Sequence, residues 1–131
     1  MSNSKILSPA NTRQAKAVLH RLRVADPCIE ACALISADGR LVVADLDEAT
    51  NGDRFSAMCA ALIALATRAG DEARRGDLRQ LILEGESGTM LLTRAGIGGV
   101  LVVATSPKAM LGRNIISARD AATELGLLFG A

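Results

Sequence analysis

The sequence predicts an α+β domain with the element order α-β-β-α-β-β-β-α, and three observations lead to it. Apolar residues recur at helical spacing in three separate segments, and between them lie short β-branched runs broken by glycine-containing turns, first as a pair and then as a trio. At 131 residues, half of them apolar, the chain is long enough to bury one core of two or three layers but not two cores. Three helices are enough to cover both faces of a five-stranded sheet.

Each element has its own signal. Ser8-Pro9 supplies an N-cap followed by proline at the first helical position. Ala15, Val18, Leu19 and Leu22 then step along one face until Asp26-Pro27 stops the run. Ile29 to Ser36 reads as a strand, Ala37-Asp38-Gly39-Arg40 as a turn, and Leu41 to Ala44 as the returning strand of a hairpin. After an acidic, turn-rich segment from Asp45 to Gly52, a second helix is expected from Asp53 to Ala69 with Gly70 as its C-terminal cap. A charged loop from Asp71 to Asp77 precedes a three-strand meander: Leu78 to Glu84, Thr89 to Arg94 and Val100 to Thr105. Leu111, Ile115, Ala118, Ala122, Leu125 and Phe129 then mark a third helix. Residues 1–7 read as a flexible tail and residues 8–131 as one domain.

The second helix is the least ordinary element. From Ala57 to Ala66 it has no polar side chain, so it must be covered on more than one side. A helical wheel gathers Phe55, Met58, Cys59, Leu62, Leu65, Ala66 and Ala69 on a broad face suited to a sheet. Ala57, Ala60, Ala61 and Ala64 lie on the other side. Alanine is the best helix former and serves that purpose anywhere. A stripe of it also lets another backbone approach closely, and a second copy of the same helix is the simplest partner.

Composition excludes several classes. A net charge of +1 argues against a polyanion as the main partner, and two phenylalanines without tyrosine or tryptophan leave no stacking platforms for single-stranded nucleic acid. The longest apolar run has ten residues, too short to span a bilayer, and no signal-peptide core opens the chain; a cytoplasmic location with no membrane insertion is expected. Cys28, Cys32 and Cys59 cannot all pair among themselves and, with a lone His20 on another segment, do not compose a metal site. They read as small reduced core residues. On the first helix, Arg13, Lys16, His20 and Arg23 form a basic stripe, either a solvated face or a docking site for an acidic partner.

No catalytic pattern emerges. Gly96-Ile97-Gly98-Gly99 leads into a strand, whereas a phosphate cradle must lead into a helix whose amides face the anion. Asp45-Leu46-Asp47-Glu48-Ala49-Thr50 matches a calcium loop at its first and third positions but has Ala49 and Thr50 where a ligand and a glycine are needed. His20 has no identifiable nucleophile beside it, Asp38 is accounted for by its turn, and Asp53 by an N-cap or first-turn position. The chain therefore reads as a non-enzyme, without cofactor or metal, that acts through contacts.

Taken together, Ala31 to Ala44 around Asp38-Gly39, the alanine-rich second helix, Leu91-Leu92-Thr93-Arg94-Ala95-Gly96, Leu101-Val102-Val103-Ala104 and Leu111-Gly112 resemble the roadblock / dynein light chain family, including its bacterial MglB-like members. The resemblance covers residues 14–129, and Ala31 stands where the family often has glycine. It implies a profilin-like or longin-like antiparallel sheet with helix two on one face and helices one and three on the other. It also implies a homodimer in which the third strands pair and the second helices lie side by side. Family members bind Ras-like small GTPases or act as assembly scaffolds, so the expected function is a non-catalytic dimeric GTPase regulator or scaffold. A self-assembly subunit or small-molecule sensor without a GTPase is the alternative. The interface expected from the helix stripe and from a sheet edge left open comprises Asp53, Arg54, Ala57, Ala60, Ala61, Ala64 and Arg68 with Leu81, Ile82 and Leu83.

Overall fold

The computed structural model describes residues 7–46 and 50–129. The elements follow the expected order: α1 Pro9–Ala25, β1 Ile29–Ser36, β2 Leu41–Asp45, α2 Gly52–Glu72, β3 Gln80–Gly85, β4 Gly88–Ala95, β5 Gly99–Thr105 and α3 Leu111–Leu127. All pairings are antiparallel and the strand order is β2-β1-β5-β4-β3, so the first hairpin joins the meander through β1 and β5. This is the profilin-like architecture, three helices on a five-stranded antiparallel sheet.

Local chemistry sets the helix ends. Ser8 Oγ accepts from the Asn11 amide at 3.1 Å and Pro9 opens α1. Asn51, not Asp53, caps α2, its Oδ1 accepting from the Arg54 amide at 3.1 Å; Asp53 is a first-turn acid favoured by the helix dipole. Gly70 does not end the helix as expected. The chain continues to Glu72, and the left-handed residue that turns it is Arg74, with φ 57°. The Arg75 amide then bonds back to the Gly70 carbonyl at 2.8 Å, satisfying a helix-end acceptor that a glycine cap would have served.

α1 and α3 pack on one face of the sheet, where Leu19, Leu34, Leu91, Leu101, Val103 and Leu125 are fully enclosed. Leu7, placed in the tail on sequence grounds, is buried in this cluster; the rest of that tail lies outside the described residues. Asp26 ties the layer together. One carboxylate oxygen accepts from the Cys28 amide and the other from the buried Asn114 amide nitrogen of α3, both at 2.9 Å. These bonds, the Cys28 amide first, hold its pKa below the ordinary 3.8. On the opposite face α2 covers a smaller cluster of Ile35, Cys59, Ile63, Leu92, Val100 and Val102.

The tight β3–β4 turn depends on Gly88, whose φ of +136° is open only to glycine and whose added Cβ would lie 2.0 Å from the Thr105 carbonyl oxygen. Gly88→Ala is expected to lower stability by at least about 2 kcal/mol, measured as a drop in the urea midpoint. An unchanged midpoint would show that the turn can relax.

A candidate interaction surface on the second helix and the edge strand

The buried stripe of α2 runs through Ser56, Cys59 and Ile63, with Phe55, Leu62 and Ala66 half-buried beside it. This is rotated from the expected face. Met58 and Leu65, assigned to the sheet on sequence grounds, are 59% and 66% exposed, and Ala69 is exposed with them. Ser56 explains the rotation. Its hydroxyl donates to the Gly52 carbonyl at 2.7 Å, so a residue that reads as polar has its donor satisfied within the helix and fits the core.

Of the residues expected at the interface, Asp53, Arg54, Ala57, Ala61, Ala64 and Arg68 all lie exposed on α2. Ala60 does not share that surface. It is half-buried against the β1–β2 turn, its Cβ 3.5 Å from where a side chain on Gly39 would begin. The outward surface missed by the sequence reading is therefore richer than an alanine stripe: Met58 and Leu65 stand among the alanines, with Arg54 and Arg68 toward the two ends. The signal available was the absence of any polar residue from Ala57 to Ala66, which no single buried face accounts for.

β3 lies at an edge of the sheet. Leu81 is half-buried against the α2-side cluster, whereas Ile82 and Leu83 are 42% and 44% exposed. The register sets Leu83, Met90, Ala104 and Ala31 in one row across β3, β4, β5 and β1. They lie on the same face as α2, none is fully buried, and the row is continuous with the exposed edge. Arg94 reaches toward α2 on this side, its guanidinium donating to Thr67 Oγ1 at 3.1 Å while that hydroxyl donates to the Ile63 carbonyl at 2.7 Å.

The other candidates are dispersed. Arg13, Lys16 and His20 are exposed on α1, but Arg23 leaves the stripe to pair with Asp45 at 2.8 Å. Asp38 accepts from Ser36 Oγ within its turn. Residues 47–49 of the considered calcium loop lie outside the described residues. Among the described residues no three His, Cys, Asp or Glu side chains gather into a metal site, and no helix is long and apolar enough to cross a membrane.

Residues 16–105 match the model of the Roadblock/LC7 domain family, and the chain belongs to that family. It is 32% identical over 101 residues to the uncharacterized protein MJ0310 of Methanocaldococcus jannaschii, covering 77% of this chain and 88% of that one. Among solved structures it is similar to an MglB with tetrameric arrangement, at TM-score 0.90 and 18% identity over 99% of this chain and 98% of that one. Profilin II of Acanthamoeba castellanii superposes at TM-score 0.58 and 16% identity over 87% of this chain and 95% of that one, a likeness of fold.

Burial raises the Cys32 thiol to about 12 and the Cys59 thiol to about 11, so neither carries thiolate at neutral pH. Alkylation of the native protein with iodoacetamide should therefore leave Cys32 and Cys59 unmodified, both reacting only after denaturation. Rapid labelling of either in the native state would mean that its layer opens readily.

Proposed function

We propose that this chain is a non-catalytic, homodimeric regulator or scaffold for a Ras-like small GTPase, docking it on a platform of two α2 helices side by side. The observation that carries the reading is the outward face of α2, where Met58 and Leu65 stand exposed among Ala57, Ala61 and Ala64. A helix face this apolar, on the same side as a half-covered sheet row and an open strand edge, suits a protein partner. The partner copy follows from the small side chains, which let two helices approach closely, and from the family's usual dimer. The GTPase follows from the family's usual partner class together with a rim of Asp53, Arg54 and Arg68 around an apolar centre.

Light scattering at micromolar concentration should give the mass of a dimer. Ala61→Glu would desolvate an unpaired carboxylate between the helices and weaken association by about a hundred-fold or more. A wild-type monomer would sink the dimer.

For the partner, the purified protein is to be tested against Ras-like GTPases of the same cell loaded with GTP or GDP analogues. Reversing Arg54 and Arg68 to Glu should weaken capture by about ten-fold, whereas reversing Arg13 and Lys16 should leave it unchanged. Loss on the second pair alone would move the docking face to α1. Capture of no GTPase in either nucleotide state would favour a self-assembly role.

A further inference from the structure

Beside β3, on the side of the sheet covered by α1 and α3, lies a groove of about 660 Å³ whose walls include Arg75, Asp77, Arg79, Gln80, Ile82 and Arg119. Three guanidinium groups reach it from three places in the chain: the loop after α2, the approach to β3, and the middle of α3. Like charges gathered in this way repel one another. Among the described residues, Arg75, Asp77, Arg79 and Arg119 take part in no ion pair, and Arg75 meets only the Ala73 carbonyl, at 3.0 Å. The acids of α3 are turned elsewhere: Glu124 pairs with Arg21 of α1, and Asp120 lines the hollow between α1 and α3. Arg79 and Arg119 also border a smaller hollow of about 250 Å³ beside Thr93 and Thr123, so the basic concavity extends past them.

We infer that this groove binds the phosphate monoester of a small polyhydroxylated compound, in the simplest case a sugar phosphate. Three guanidinium charges less the Asp77 carboxylate leave two positive charges, and a phosphate monoester carries about −1.5 to −2 at neutral pH. Guanidinium groups take phosphate oxygens in paired, charge-assisted hydrogen bonds. The groove is far roomier than a phosphate group requires and falls within the range of about 300–1,000 Å³ usual for small-molecule sites, so the phosphate arrives with a body attached.

The lining also describes that body. Phe55 and Phe129 are the only aromatic residues of the chain and neither lines the groove, so no ring is there to stack on a nucleobase. The amide nitrogen of Gln80 donates to Thr93 Oγ1 at 2.8 Å, which leaves its carbonyl oxygen for an incoming donor. That oxygen and the Asp77 carboxylate are acceptors set among arginines. They repel a phosphate and suit the hydroxyl groups beside it. A polymeric anion would need a basic track leading away from the groove. Exposed acids bound it instead, Asp71 and Glu72 before the loop and Glu84 and Glu86 along β3.

Calorimetric titration of the full chain with glycerol phosphate, the terminal phosphate monoester of ribose, inorganic phosphate, ribose and hexaglutamate tests the inference. The two esters should bind in preference to inorganic phosphate, and ribose should not bind. Arg79→Gln or Arg119→Gln should each weaken the esters by about ten-fold or more. Since each removes one of three repelling charges, neither should lower the melting temperature of the ligand-free protein, as loss of a structural contact would. Asp77→Ala should strengthen inorganic phosphate and erase the preference for the esters.

Failure of both esters to bind at millimolar concentration would overturn the inference, as would affinities equal to that of inorganic phosphate. Ester binding untouched by both arginine changes would place the anion elsewhere and overturn it too. Tighter binding of hexaglutamate than of either ester would give the groove to an acidic peptide. The groove lies on the face away from α2, so these outcomes leave the dimer and the GTPase to their own tests.

Discussion

Strands in a sheet lie about 4.8 Å apart, and a helix with its side chains is about 10 Å across, so a five-stranded sheet needs two helices on a face to exclude water from it. This chain has three helices for two faces. α1 and α3 cover one side and enclose the larger cluster, while α2 alone lies on the other, over a smaller cluster that reaches from Ile35 of β1 through Val100 and Val102 of β5 to Leu92 of β4. The exposed Leu83 and the half-covered row through Met90, Ala104 and Ala31 follow from that shortage. α2 itself is apolar from Ala57 to Ala66, and its outer face lies on the same side of the sheet as the bare row.

The well-covered side is held by polar contacts as well as by packing. Asp26, at the end of α1, joins the Cys28 amide to Asn114 of α3, and Arg21 of α1 pairs with Glu124 of α3. Together they link the helices that share the sheet face, the part-buried bond from Asn114 fixing one end and the exposed ion pair adding little on its own. α2 has a different tether, the Arg94–Thr67 contact from the meander. The α1–α3 layer thus backs the sheet on the face opposite α2.

Much of the architecture could be read from local pattern. Proline at N1, the Asp38-Gly39 turn and the glycines between the meander strands fixed element order because each acts within a few residues. What went astray needed tertiary information. The face of α2 turns on Ser56, a polar residue that enters the core because its hydroxyl donates to the Gly52 carbonyl. Gly70 had the right identity for a cap in the wrong place, because the chain turned four residues later at Arg74. Ala60 could not be told from its neighbouring alanines until the Gly39 turn was set beside it. The arginine groove was beyond the sequence altogether, since Arg75, Arg79 and Arg119 are gathered by the way α3 crosses the meander.

The strand order has a consequence for how the chain is made. β1 sits between β2, its immediate successor, and β5, which ends at Thr105. While the chain emerges from the ribosome, the first hairpin can close as soon as residue 45 is free. One long side of β1, with Ala33, Leu34 and Ile35 at its middle, then waits without its hydrogen-bonding neighbour until β5 arrives. The sheet is completed from its centre last. The pairing that joins its two parts closes a loop of roughly 70 residues, the kind of non-local contact that slows folding and leaves a strand edge open meanwhile. Until then β1 and β5 each present a bare edge that the chain itself closes, whereas β2 and β3 remain the edges of the finished sheet.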